Sequence, residues 1–180
     1  MRAYNTNDRL QVHYAKLMEY VSNGGNLIVQ YNTNNRIGPV QAKIGPYAFT
    51  ISRDRVTDET AETRIVNPSH SALTFPNTIT PTDFEGWVQE RGIYFETEIE
   101  KNYETVLSMN DPGEKASVGS WIIAKYGKGN FDYTGLVFFL ELHAGVPRAA
   151  RLFEQLRCLP QNKYKMTEEK PPLMKTWIHM

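Results

Sequence analysis

The sequence predicts an α/β fold built on a mostly parallel sheet, and three stretches predict it. Leu10, Tyr14, Leu17, Met18 and Val21 recur at steps of three and four, the mark of a helix with one buried face. Asn23-Gly24-Gly25 then stops the helix, with glycine free to take the left-handed C-cap conformation. Asn26-Leu27-Ile28-Val29-Gln30-Tyr31 follows as a nearly continuous apolar run, the composition of a strand covered on both faces. Helix, glycine stop and buried strand make half of a doubly wound unit.

The remaining elements follow in order. Asn7 or Asp8 is placed to cap the first helix, which runs to Ser22. Residues 32–46 are polar and glycine-rich and read as a loop. Tyr47–Ile51 alternates and reads as a strand, and the charged segment Arg53–Glu62 reads as exposed. Ile65–Thr80 carries prolines and little periodicity, so it reads as an irregular connection. Thr80 or Thr82 caps a helical turn over Asp83–Gly86, and Val88–Phe95 alternates as a strand. Val106–Met109 is a short strand ending in the turn Asn110-Asp111-Pro112-Gly113. Ser120–Tyr126 and Asn130–Leu136, joined by Gly127-Lys128-Gly129, read as a hairpin. Pro147–Leu156 is a second amphipathic helix with proline in its first turn. These elements form one domain over residues 1–160, followed by a tail, 161–180, that carries Leu173, Met174, Trp177 and Ile178.

Composition narrows the function. Lys and Arg total 20 and Asp and Glu total 20, so the formal net charge is zero. Capture of nucleic acid needs a basic surplus, and none is present. No apolar run approaches the roughly 20 residues that span a bilayer. The N-terminus MRAYNTNDRL lacks the apolar core of a signal peptide. Cys158 is the single cysteine, which excludes an intrachain disulfide and a cysteine-rich zinc site. It fits the cytosol and the periplasm equally, so the compartment stays open.

Catalytic signatures are thin. Cys158 sits in Leu156-Arg157-Cys158-Leu159, without the small residues of a nucleophile elbow. His13, His70, His143 and His179 do not pair at metal-ligand spacing. Gly24-Gly25 follows a helix and precedes a strand, the reverse of a phosphate-binding loop. The acidic stretch Asp54–Glu62 lacks the spacing of an EF-hand loop. No metal and no cofactor is therefore expected, and no catalytic residue is assigned.

The densest chemistry lies in FEGWVQERGIYF, residues 84–95. Trp87 beside Glu85, Gln89, Glu90 and Arg91 suits a sugar: a ring stacks on a pyranose face while carboxylate, amide and guanidinium groups bind its hydroxyls. The expected ligand-binding residues are these five and His70, which sits on the loop Asn67-Pro68-Ser69-His70. A structural alternative pairs Arg91 with Glu85 or Asp54. A hydrolytic alternative uses Glu85, Glu90 and His70 on a glycan or an amide.

Several stretches resemble long bacterial proteins of the PIG-L (LmbE-like) deacetylase family: Asn23–Asn32, Ile51–Thr57, Asp83–Phe95, Leu107–Gly113 and Ala124–Gly135. The resemblance spans about residues 2–160, and FEGWVQERG is its most specific motif. It implies a C-terminal domain with a class I glutamine-amidotransferase-like, flavodoxin-like fold. Asn67–His70 and Asp83–Glu85 also resemble the ThuA-like branch of that superfamily. The family's zinc motif Ala-His-Pro-Asp-Asp is absent from this chain, and the amidotransferase nucleophilic Cys and catalytic His have no counterpart. The resemblance thus implies an accessory domain beside a deacetylase domain in a longer parent, with carbohydrate as ligand. It also implies a sheet lacking its earlier strands, and hence a homo-oligomer joined through an exposed sheet edge.

Overall fold

The computed structural model describes residues 2–34, 40 and 42–160. In chain order it holds helices α1 (Ala3–Thr6), α2 (Arg9–Val12) and α3 (Tyr14–Ser22), then strand β1 (Asn26–Gln30). Short strands β2 (Thr50–Ile51), β3 (Arg55–Val56) and β4 (Thr63–Ile65), helix α4 (Ser71–Thr74) and a 3-10 turn (Pro81–Phe84) come next. Strands β5 (Gly92–Ile93), β6 (Glu96–Thr97), β7 (Tyr103–Thr105) and β8 (Leu107–Met109) follow. The chain then forms β9 (Trp121–Tyr126), β10 (Gly129–Thr134), α5 (Phe138–Glu141) and α6 (Pro147–Arg157).

The expected mostly parallel, flavodoxin-like sheet is not what forms. The main sheet is mixed, in the order β1-β10-β9-β7, and only β1 and β10 run parallel. Three further ladders, β2–β6, β3–β5 and β4–β8, are two-stranded and antiparallel. The physical reason lies between β1 and β7. A parallel neighbour needs a crossover of a dozen or more residues, usually a helix. The only helical elements among the described residues of that interval are α4 and the 3-10 turn, of four residues each, so its short strands pair antiparallel instead.

Other elements match the sequence more closely. The hairpin β9–β10 forms with Gly127 at a positive φ of 60°. The first helical region breaks into three pieces, and the Asn7 side chain accepts the Arg9 N–H at 3.0 Å. The expected strand Val88–Phe95 shrinks to β5, because Gln89 (φ 67°) and Tyr94 (φ 59°) take left-handed backbone on either side of it. The tail 161–180 lies outside the described residues.

Every residue of β10 is buried, so the sheet carries a core on each face. Phe131 and Tyr133 join Val21, Val29, Ile122 and Tyr103 on one face, beneath α3. The opposite face faces the larger cluster of Trp121, Ile123, Leu136, Phe138, Leu152 and Leu156, which includes α6. Asp132 is buried on this second side. Its Oδ1 accepts the Trp121 indole N–H at 3.0 Å, while Oδ2 has no partner among the described residues. Burial pushes the carboxyl up to about 8, with the indole hydrogen bond opposing.

The sign of the consequence follows. Between about pH 4 and pH 8 the folded chain keeps the Asp132 proton while the unfolded chain releases it. Stability from this group is complete below the unfolded value, falls by about 1.4 kcal/mol per pH unit across that window and levels off above it. Asp132→Asn keeps the carbonyl acceptor for Trp121 and removes the titration. Urea unfolding from pH 5 to pH 8 is expected to show a shallower decline in the variant; parallel curves would contradict the assignment.

Candidate functional site

The motif FEGWVQERG does not assemble one surface. The Trp87 ring is 3% exposed, with Phe84 at 5.4 Å and Phe138 at 5.9 Å between ring centroids. Its indole N–H donates to the Asp83 carbonyl at 3.0 Å. The expected stacking of a sugar on Trp87 therefore has no exposed ring face to use. Glu85 is exposed and pairs with Arg148 of α6 at 2.6 Å. Gln89 is exposed, and its amide N–H donates to Glu59 at 2.7 Å. Glu90 is half-buried, and burial raises its carboxyl above the usual range.

Arg91 is 5% exposed and serves as an internal clamp. Its Nε donates to the Ala61 carbonyl at 3.1 Å, and its Nη1 donates to the Phe84 carbonyl. Its own N–H donates to the Val56 carbonyl at 2.9 Å. Neither Glu85 nor Asp54 is its partner, so the expected carboxylate pairing gives way to backbone carbonyls. Burial lowers the affinity of Arg91 for its proton, and the negative charges of Glu141, Asp58 and Glu59 oppose that shift. The Glu141 carboxylate in turn accepts the Val88 N–H, at 3.2 and 3.1 Å from its two oxygens. The polar groups of this motif thus tie β3, the Ala61 loop, the 3-10 turn and α5 together.

His70 is also structural. Its Nδ1 accepts the Ala72 N–H at 3.1 Å and caps α4, while Nε2 lies 3.4 Å from Glu104. Burial lowers its affinity for a second proton, and Glu104 opposes that shift. Glu85 is held by Arg148 and His70 by Ala72 and Glu104, and among the described residues no hydrogen bond or ion pair joins Glu85, Glu90 and His70 to one another. The hydrolytic alternative loses its geometry. Among the described residues no group of three or more His, Cys, Asp and Glu side chains is placed to hold a metal ion. No described helix is long and apolar enough to cross a membrane.

A concave surface lies elsewhere, near the face of the sheet that carries Phe131 and Tyr133. A hollow of about 480 Å³ is lined by Tyr14, Asn34, Lys43, Tyr47, Phe49 and Glu100, among others. Two of its lining rings rest on an aromatic lattice beneath: Tyr47 stands edge-on to Tyr103 at 5.8 Å and to Tyr126 at 6.2 Å. Phe49 packs at 5.6 Å on Tyr103 and at 5.1 Å on Tyr133. The segment bearing Tyr47 is held by the Tyr103 hydroxyl, which donates to the Tyr47 carbonyl at 2.9 Å. Tyr14 donates to the Gly45 carbonyl at 3.0 Å. Gly45 is required at this crossing, because a Cβ there would stand 2.4 Å from the Tyr103 hydroxyl and 2.7 Å from Phe131.

Tyr14, Tyr47 and Phe49 are half-buried, whereas Lys43 and Glu100 are exposed. Lys43 Nζ lies 6.0 Å from the centre of the Tyr14 ring. The hollow thus offers aromatic surface, one cation, one carboxylate and an amide. Asn34 and Lys43 lie in the stretch 32–46, which has no periodicity, while Tyr14 reads only as a helix-face residue. The one available signal is the aromatic pair Tyr47 and Phe49, which alternation alone assigns to a strand.

No family model matches the chain, and no curated protein matches it. Among solved structures, a cold-adapted beta-galactosidase from Rahnella sp. R3 aligns over 79% of this chain with 17% identity and a TM-score of 0.40. The chain spans about a fifth of that enzyme's length, since the alignment covers 20% of it. A likeness at that score carries no argument about function.

Arg91→Ala leaves the buried Ala61 and Phe84 carbonyls without their side-chain donor. A loss of about 3 kcal/mol is expected in denaturant unfolding, of which Arg91→Lys restores less than half. A loss below about 0.5 kcal/mol would show that the clamp is not structural.

Proposed function

We propose that this chain is a non-catalytic accessory domain of the LmbE-like deacetylase type that binds carbohydrate in the hollow beside Tyr47. One observation carries the reading: half-exposed aromatic rings, Lys43, Glu100 and Asn34 line a single concavity of about 480 Å³. Pockets of this size suit small ligands. Aromatic faces accept the apolar face of a sugar ring, and the ammonium, carboxylate and amide groups satisfy hydroxyls. Glu100 is the only carboxylate among the described lining residues, and one carboxylate cannot supply both the acid and the base of glycoside hydrolysis. The motif resemblance supports the accessory role and the association with a deacetylase domain.

The test is calorimetric titration with neutral and amino-sugar oligosaccharides. Saturable binding to one class is expected, weakened at least about tenfold by Tyr47→Ala, an effect of about 1.4 kcal/mol. Glu85→Gln, on a surface ion pair away from the hollow, is expected to leave affinity unchanged. Binding that survives Tyr47→Ala, or no binding to either class, would overturn the reading.

A further inference from the structure

Strand β1 stands at the edge of the main sheet with the composition of an interior strand. Leu27 packs toward one core and Ile28 toward the other, and both stay partly exposed. The hydrogen-bond parity is fixed by the bonds to β10. The Tyr31 N–H donates to the Thr134 carbonyl at 3.0 Å, and the Gly25 carbonyl accepts the Asn130 N–H at 3.2 Å. Odd-numbered residues of β1 therefore bond inward to β10, while the backbones of Asn26, Ile28 and Gln30 point away from it.

That outer row is largely unfilled. The Asn26 carbonyl accepts the Tyr20 hydroxyl at 3.4 Å, and the Gln30 carbonyl accepts the Asn32 side-chain amide at 3.5 Å. The amide and carbonyl of Ile28 and the amide of Gln30 have no partner among the described residues. The strand itself carries none of the devices that protect an edge: Asn26–Gln30 contains no charged residue, no proline and no bulge. Tyr20, 49% exposed, extends the apolar surface beside the strand.

We propose that β1 pairs antiparallel with β1 of a second copy of this chain, about a two-fold axis at Ile28. The pattern is self-complementary. Ile28 faces Ile28 of the partner subunit as a hydrogen-bonded pair, and Asn26 faces Gln30 of the partner subunit as the next such pair. Each outward amide and carbonyl gains a partner, and the two four-stranded sheets become one continuous sheet. Because that segment carries no charge, no like-charge repulsion opposes the pairing.

The test combines light scattering with amide exchange read by NMR, on the full chain from micromolar to near-millimolar concentration. The expected result is a dimer in which the Ile28 and Gln30 amides exchange at least about tenfold more slowly as concentration rises. Gln30→Pro removes an outward amide that the monomer does not use, so it is expected to give a folded monomer. A monomer with fast Ile28 exchange at every concentration overturns the proposal. So does a monomer with a protected Ile28 amide, in which the chain covers its own edge. A dimer with fast Ile28 exchange, or one that persists in a folded Gln30→Pro variant, places the interface elsewhere and also overturns it. If the variant does not fold, the wild-type exchange decides alone.

Discussion

Complete burial of β10 is the constraint on which the rest of the structure depends. A strand covered on both faces must satisfy its polar side chains inside the protein. Asn130 does so by donating to the Asn26 side chain at 2.9 Å and to the Pro160 carbonyl at 3.4 Å. Thr134 donates to the Ser120 carbonyl at 3.0 Å and accepts the Leu136 N–H at 3.1 Å. Asp132 finds only the Trp121 indole, and burial raises its carboxyl against the pull of that single hydrogen bond. These bonds fix β1, β9 and the end of α6 around one strand. Its outer neighbours, β7 and the small ladders, are arranged about that frame.

A second buried acid lies across the sheet. Glu96 in β6 is 1% exposed, and neither of its carboxylate oxygens has a partner among the described residues. Burial raises it well above the usual carboxylate range. It also raises the nearby Tyr133 hydroxyl, beyond the effect of that tyrosine's own burial. The Tyr133 oxygen accepts the Asn32 N–H at 2.8 Å, which ties the end of β1 to this buried region. Two buried acids, each with at least one oxygen lacking a partner among the described residues, have carboxyl groups that burial raises in the folded state. The formal charge balance of the sequence does not reveal this.

The motif FEGWVQERG and the hollow are spatially separate in this chain. The polar residues of FEGWVQERG are spent on holding loops: Arg91 on carbonyls, Glu85 on Arg148, and Trp87 in the core. The hollow uses less conspicuous residues, supplied by a segment that crosses the sheet at Gly45. A dense cluster of charged and aromatic residues therefore marks here a structural clamp, because charges that replace regular ladder bonds can organise irregular chain. The open edge of β1 adds a third region, separate from both.

By itself the sequence determined the local elements whose signals are short-range. The helix ending at Asn23-Gly24-Gly25, the strand Asn26–Gln30, the glycine-turned hairpin and the helix from Pro147 all follow from periodicity and turn chemistry. The class of charge balance and the lack of a zinc motif were legible in the same way. Only the tertiary structure decided that the sheet is mixed, since strand direction depends on which distant segments meet. It also decided that Trp87 turns inward and Arg91 binds carbonyls, because left-handed backbone at Gln89 and Tyr94 cancels the alternation that sequence implies. The hollow was illegible for the same reason: its residues are brought together by the packing of a non-periodic segment on Tyr103 and Phe131, and such packing leaves no local pattern.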